Sequence, residues 1–164
     1  MQRFRLSIIS LVFLFACAAA PTAPAPGDIA AAYQSAGRLN EASREIELAI
    51  RVRPGDVSLR RQAARIYTES ERSDRAIEHL EAAIQLAPRD AALWIDLAEI
   101  ERDRENIADA YVAYRRASKL VPTDVRAVSG LALSAENLGF SEEASAAYAR
   151  WAELKLSLDS GANQ

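Results

Sequence analysis

The chain has 164 residues, enough for one domain with a substantial core and too few for two ordinary domains. Half of the residues are apolar and aromatics are few, which favours helices over sheets. The net charge of −3 comes without a basic stripe, which argues against nucleic-acid binding. A single cysteine and a single histidine exclude an intramolecular disulfide and the usual His/Cys metal cluster, so we expect neither a metal nor a cofactor.

The first twenty residues have the layout of a secretory signal. Residues 1–5 are basic, residues 6–20 are almost wholly apolar, and prolines follow directly. The apolar run of about 15 residues is shorter than the roughly 20 that cross a bilayer. It therefore predicts a cleaved export signal rather than a membrane-spanning helix.

The signal ends in Leu14-Phe15-Ala16-Cys17, which resembles a bacterial lipobox. The resemblance implies a signal peptide over residues 1–16, lipidation of Cys17 and a membrane anchor. Since an aspartate after the cysteine would favour the inner membrane and Ala18 stands there, it also implies an outer-membrane lipoprotein that faces the periplasm. An ordinary A-x-A cleavage site is the alternative. Residues 17–27 form a Pro/Ala-rich tether before the folded part.

A repeat of thirty-four residues organises the rest of the chain. Five columns of identical residues recur in one phase. The columns are Pro54, Pro88 and Pro122; Asp56, Asp90 and Asp124; Ala30, Ala64, Ala98 and Ala132; Ala42, Ala76, Ala110 and Ala144; and Ala49, Ala83 and Ala117. Five columns in one phase indicate a true internal repeat and not a chance coincidence.

This pattern resembles the tetratricopeptide repeat. The third unit matches best, through Trp94, Leu97, Ala98, Ala110, Tyr114, Ala117 and Pro122. The fourth unit departs from the pattern with Trp151 and Leu156 where Ala and Pro are usual. The resemblance implies an all-α fold, a right-handed α-solenoid of about four helix-turn-helix repeats over residues 28–157. The repeats cover approximately 28–56, 57–90, 91–124 and 125–157, and a polar tail of residues 158–164 follows.

Turn residues divide each unit into two helical windows. We predict helices over 28–36, 40–52, 57–70, 74–86, 91–104, 107–120, 125–138 and 141–157. Asp56, Asp90 and Asp124 stand where an N-cap carboxylate would accept the first free amides, and Asp28 is the expected cap of the first helix. The alanine columns predict close helix packing. Trp151 lies where a following unit would pack, so it either plugs the end or marks a surface for a partner or a second copy.

In this family the first helix of each unit lines a concave groove that holds peptides. The resemblance implies a peptide-binding groove formed by Arg61, Arg65, Ile95, Glu99, Arg102, Arg126, Leu133 and Asn137. Arg61 and Arg65, one turn apart, could together bind a carboxylate, while Ile95 and Leu133 could contact apolar groups. The alternative is that these residues form an ordinary solvated helix face.

No arrangement of residues indicates catalysis, and we expect no catalytic residues. We predict that His79 faces water, and that Asp96, Glu99 and Asp103 form a charged helix face and not an acid/base or metal site.

The resemblance therefore predicts a non-enzymatic scaffold that binds a protein or peptide client in the bacterial cell envelope, such as a pilus or secretion-system assembly lipoprotein. An accessory or regulatory subunit of an envelope enzyme or maturation complex is one alternative. A self-associating structural module is another. The chain would be a monomer or a homodimer, held at the membrane through a lipid anchor.

Overall fold

The structure is a computed structural model that describes residue 25 and residues 27–161. The predicted signal, the lipobox with Cys17 and most of the tether lie outside the described residues, as do residues 162–164. Within the described part, the secondary structure consists of eight helices, and no strand is present. The helices are α1 (Asp28–Ser35), α2 (Leu39–Val52), α3 (Val57–Glu69), α4 (Ser73–Leu86), α5 (Ala91–Asp103), α6 (Ile107–Leu120), α7 (Val125–Asn137) and α8 (Ser141–Gly161).

The first helix of units two to four begins at an aspartate cap, as predicted. The side chains of Asp56 and Asp124 each accept hydrogen bonds from two backbone amides of the next helix, and Asp90 accepts one. The first unit differs, because Gly27 occupies the N-cap position of α1. Asp28 instead accepts a hydrogen bond from the backbone amide of Ala25, so its predicted role as the cap was wrong.

The first helix of every unit ends in the same turn. One residue of this turn has a positive φ in every unit, between 59° and 78°. This position recurs every thirty-four residues and is occupied by Gly37, Glu71, Glu105 and Gly139. In each turn the amide of this residue bonds to a carbonyl three residues back, and the next amide bonds to one five residues back. This is the Schellman arrangement, which satisfies the last free carbonyls of a helix. Glu71 and Glu105 adopt a backbone conformation that costs a non-glycine residue about 1 kcal/mol.

The alanine columns are buried, as predicted. None of their members is more than 6 % exposed. Because a methyl group occupies little space, the two helices of a unit and the helices of neighbouring units approach closely at these points. The buried residues form two clusters that meet at α5: Leu93 and Ile100 pack in the cluster of units one and two, and Ile95 and Ala98 in that of units three and four.

A glycine allows a similarly close approach between units three and four. A Cβ atom placed on Gly130 would lie 2.4 Å from the ring of Tyr114. Tyr114 is 1 % exposed, so the ring has no space into which to move. Burial raises the pKa of Tyr114 to about 12, which keeps the phenol protonated. The absence of a side chain at Gly130 is therefore what admits this aromatic ring to the core.

The last helix is longer than predicted. Helices α2, α4 and α6 have 14 residues each, whereas α8 continues for 21 residues, four beyond the expected end at residue 157. The proline that follows α2, α4 and α6 is replaced by Leu156, so no residue there prevents continuation. Trp151 is half-buried on α8, with the ammonium group of Lys155 5.1 Å from its ring. Trp151 occupies the position that is Ala49, Ala83 and Ala117 in the earlier units, so a following unit would contact this indole in place of a methyl group.

None of the helices among residues 27–161 is both long enough and apolar enough to cross a bilayer.

Candidate interaction groove

A cavity of about 300 Å³ opens between the first helices of units two and three, α3 and α5. Ala64, Leu80 and Ile100 are buried and form its floor. Charged side chains form the rim, namely Arg65, Glu69, Asp96, Glu99, Arg102 and Asp103. An apolar floor with a charged rim can hold one apolar side chain of a bound segment while its polar neighbours stay at the edge.

Arg61 is already bound within the protein. Its guanidinium donates two hydrogen bonds to the carboxylate of Asp96 on the neighbouring unit, and both side chains are partly buried. The hydrogen bond with Asp96 raises the pKa of Arg61. Arg61 would have to give up this bond with Asp96 before it could bind an external carboxylate together with Arg65, so that part of the predicted groove stays a prediction.

Arg65 remains available for a ligand. It lines the cavity and is exposed, and no hydrogen bond or ion pair within residues 27–161 involves its side chain. One turn further along α3, Glu69 accepts a hydrogen bond from the amide of Gln34, which leaves its negative charge unneutralised. The groove therefore presents one unpaired cation beside one uncompensated anion.

The remaining predicted groove residues fall into three groups. Ile95 is 1 % exposed and belongs to the core, so its prediction as a groove contact was wrong. Glu99 and Arg102 line the cavity, and Arg126 lies 3.7 Å from Glu99. Leu133 and Asn137 lie on the exposed face of α7, where the Asn137 amide donates to the carbonyl of Leu133.

Arg102 also connects the groove to the core. Its guanidinium donates to the hydroxyl of Tyr114 at 3.1 Å and to the carboxylate of Asp103. The hydrogen bond with Asp103 raises the pKa of Arg102. A ligand carboxylate that reaches this arginine would therefore compete with Asp103.

Sequence reasoning did not find the floor of the cavity or the partner of Arg61. The sequence indicates that Leu80 and Ile100 are ordinary core residues, and nothing in the repeat pattern shows that they line a cavity. The Arg61–Asp96 pair did leave a signal, because its members are 35 residues apart, one more than the repeat length. The same separation joins Gln34 to Glu69 and Gln62 to the carbonyl of Gly27.

A polar cluster joins units one and two away from the groove. One carboxylate oxygen of Glu47 on α2 accepts from the hydroxyl of Tyr67 at 2.7 Å and from Arg75 at 2.9 Å, and it lies 3.1 Å from Nε2 of His79. The rings of Tyr67 and His79 stack with their centroids 5.3 Å apart. His79 is 7 % exposed, so the prediction that it faces water was wrong. Its position on the surface helix concealed that the Tyr67 ring covers it.

Burial sets the charge state of this cluster. It is the largest influence on His79 and lowers the pKa of the imidazole, against the opposing effect of the Glu47 carboxylate. Burial also acts to raise the pKa of Glu47, but the hydrogen bonds from Tyr67, Arg75 and His79 outweigh it, so the pKa of Glu47 is lowered. A neutral imidazole that donates from Nε2 to a charged carboxylate satisfies both groups.

The residues described by the structure include no group of three or more His, Cys, Asp or Glu side chains that could hold a metal ion.

Comparison with known proteins identifies the repeat. Residues 57–100 match the family model of the tetratricopeptide repeat. The crystal structure of MamA superimposes with a TM-score of 0.75 at 18% identity, covering 81% of this chain and 78% of that one. A structure of MamA 41-end from Desulfovibrio magneticus RS-1 gives 0.71 at 19% identity, covering 81% and 75%. At this identity the likeness is one of fold. No relative is found among the curated proteins.

The stacked helix pairs and the groove between their first helices define an α-solenoid, a class of protein that presents an extended surface to other molecules. The match to residues 57–100 and the thirty-four-residue columns specify it further. The chain has the fold of a tetratricopeptide-repeat solenoid, which confirms the fold predicted from the sequence. Such repeats are typically non-enzymatic scaffolds for protein–protein interaction.

We predict that His79 makes the stability of the protein depend on pH. A histidine whose pKa is lowered by folding stabilises the folded state above its ordinary value of 6.5, and that stabilisation is lost as the pH falls below it. His79→Phe keeps an aromatic ring against Tyr67 but cannot titrate. Urea unfolding at pH 7.5 and 5.5 should show a smaller loss of stability for the variant than for the wild type.

At pH 7.5 the same variant should be less stable by roughly 0.5–1.5 kcal/mol, because the hydrogen bond to Glu47 is gone. An equal dependence on pH in both proteins would show that His79 does not titrate in the folded state as described.

Proposed function

We propose that this protein is a non-enzymatic adaptor of the bacterial cell envelope. It holds a segment of a client protein in the groove between α3 and α5, and it serves the assembly of a pilus or a secretion system. It is exported, anchored in the outer membrane through lipidated Cys17, and faces the periplasm.

The observation that carries the binding part of this proposal is the unpaired guanidinium of Arg65 above an apolar floor. Every other arginine of the groove has an acidic partner: Arg61 has Asp96, Arg102 has Asp103, and Arg126 has Glu99. Arg65 can form a charge-assisted hydrogen bond with a ligand without first breaking an internal one. The fitting client is an extended segment with an apolar side chain next to an acidic residue.

The proposed location rests on the N-terminal sequence. A basic start, an apolar run and Leu14-Phe15-Ala16-Cys17 together support lipoprotein export. A diacylated cysteine supplies two chains, and the two together hold a protein stably at a bilayer. The Pro/Ala-rich residues that follow would keep the groove clear of the lipid surface.

We predict that Arg65→Glu removes one specific client from the set that co-purifies with the protein. The substitution turns the unpaired cation into an anion beside Glu69, so an acidic segment is repelled. Arg44→Glu is the matched control, because Arg44 is also exposed but lies on α2, away from the cavity. Quantitative proximity labelling in cells should show the client with wild type and Arg44→Glu only. A client list that is the same for all three proteins would refute binding through this groove.

We predict that Cys17 carries the membrane anchor. Wild-type protein expressed in a bacterial host should incorporate radiolabelled palmitate and sediment with the outer membrane. Cys17→Ser should incorporate none, because the hydroxyl is not a substrate for the diacyl transfer. Wild-type protein without label would contradict the lipoprotein assignment and leave ordinary signal cleavage.

A further inference from the structure

The outer face of α6 carries charges in an unusual order. Asp109 is three residues before Val112 and Arg116 is four residues after it, so they lie about 5 and 6 Å from it along the axis. Lys119, near the end of the helix, extends the basic side of the series, and Glu105 adds a negative charge in the left-handed turn before the helix. All five residues are exposed, and Val112 is 60 % exposed. This face, called the α6 stripe below, runs from acidic through apolar to basic.

The charges of the α6 stripe have no partners among the residues that the structure describes. Among residues 27–161, no ion pair or side-chain hydrogen bond involves Glu105, Asp109, Arg116 or Lys119. The neighbouring Arg115 does have a partner, since it lies 3.2 Å from the Glu143 carboxylate. The stripe thus presents four unpaired charges around an exposed valine.

The order of the stripe makes it complementary to itself. A twofold axis through Val112 sets two copies of α6 antiparallel, with valine against valine. Asp109 is three residues and Arg116 four residues from Val112, so the axis sets Asp109 of one copy beside Arg116 of the other, offset by about 1.5 Å along the helix. This contact occurs twice, as in any isologous interface. Two acid–base contacts then flank one apolar contact.

We propose that the α6 stripe is the homodimer interface of this protein, its partner being a second copy of the same chain. A cavity of about 210 Å³ borders the stripe, lined by Trp94 and Val112 together with three cations. This cavity adds an apolar recess beside the twofold axis. The surface is separate from the groove, so the inference is independent of the proposed function.

The second unit lacks this order. The positions of α4 that correspond to Asp109, Val112, Arg116 and Lys119 hold Arg75, Glu78, Ala82 and Gln85. Arg75 and Glu78 already bond to each other at 3.0 Å. A twofold axis through Glu78 would also bring two carboxylates together. The repeat therefore does not produce the stripe automatically, and Glu78 supplies a matched control at the same position of the neighbouring unit.

Oxidative cross-linking tests the axis itself. A residue on a twofold axis meets its own copy, so Val112→Cys should form a disulfide-linked dimer. The full chain is used with Cys17→Ser as background, so that no other thiol competes. Glu78→Cys in the same background is the control, its side chain being 61 % exposed. We expect at least about tenfold more covalent dimer from Val112→Cys at equal concentration. Equal cross-linking of the two variants would overturn the proposal.

A charge exchange tests the pairing. In the Cys17→Ser background, Asp109→Arg and Arg116→Asp should each raise the dimer dissociation constant roughly tenfold, because each change makes two attractive contacts repulsive. The double variant restores opposite charges and should return to within about threefold of the parent. Sedimentation velocity measures all four proteins. A monomeric parent, or a dimer that responds to Trp151→Asp and not to the exchange, would refute the α6 interface.

Discussion

The close approach of helices at alanine is the constraint on which this structure depends. Each unit places a methyl group where its two helices cross and another where the next unit begins, and these groups are almost completely buried. Larger side chains then fill the spaces on either side of each crossing, as Leu80 and Tyr114 do. Because the crossing is the same in every unit, the stacking direction is the same too, and a groove follows from the repetition.

Contacts between successive first helices follow a second rule, a separation of 35 residues. The offset of one residue from the repeat places Arg61 against Asp96 and Gln34 against Glu69. Most of the charge in the groove is therefore used to join the units, and only what remains unpaired can recognise a ligand. Arg65 is significant for that reason, and not because the groove is rich in charge.

Most of the fold could be predicted from the sequence because its determinants are local. The bounds of seven of the eight helices were predicted to within one residue at either end. The signals were the aspartate caps, the prolines after the second helices and the turn residues between helices. The last helix was predicted too short, because Leu156 permits continuation but does not by itself indicate it. Glu71 and Glu105 in left-handed turns were also missed, since only comparison with Gly37 and Gly139 in the same column reveals the conformation.

The candidate site was less predictable because exposure and pairing depend on the neighbouring unit. Ile95 lies at a position that usually faces the groove, yet it packs in the core of units three and four. His79 was expected in water because its helix is on the surface, but Tyr67 of the preceding helix covers it. Both errors have the same origin. A repeat pattern indicates the direction in which a side chain points, but it does not indicate which neighbouring residues cover that side chain.

The close packing at alanine is tested most directly by enlarging one such contact. Ala98→Leu adds three carbons where no space exists, whereas Ala149→Leu adds them on the exposed face of α8. Urea unfolding should show a loss of about 1–3 kcal/mol for Ala98→Leu and a change within about 0.5 kcal/mol for Ala149→Leu. Equal stability of the two variants would contradict the packing on which the stack, the groove and the α6 stripe all rest.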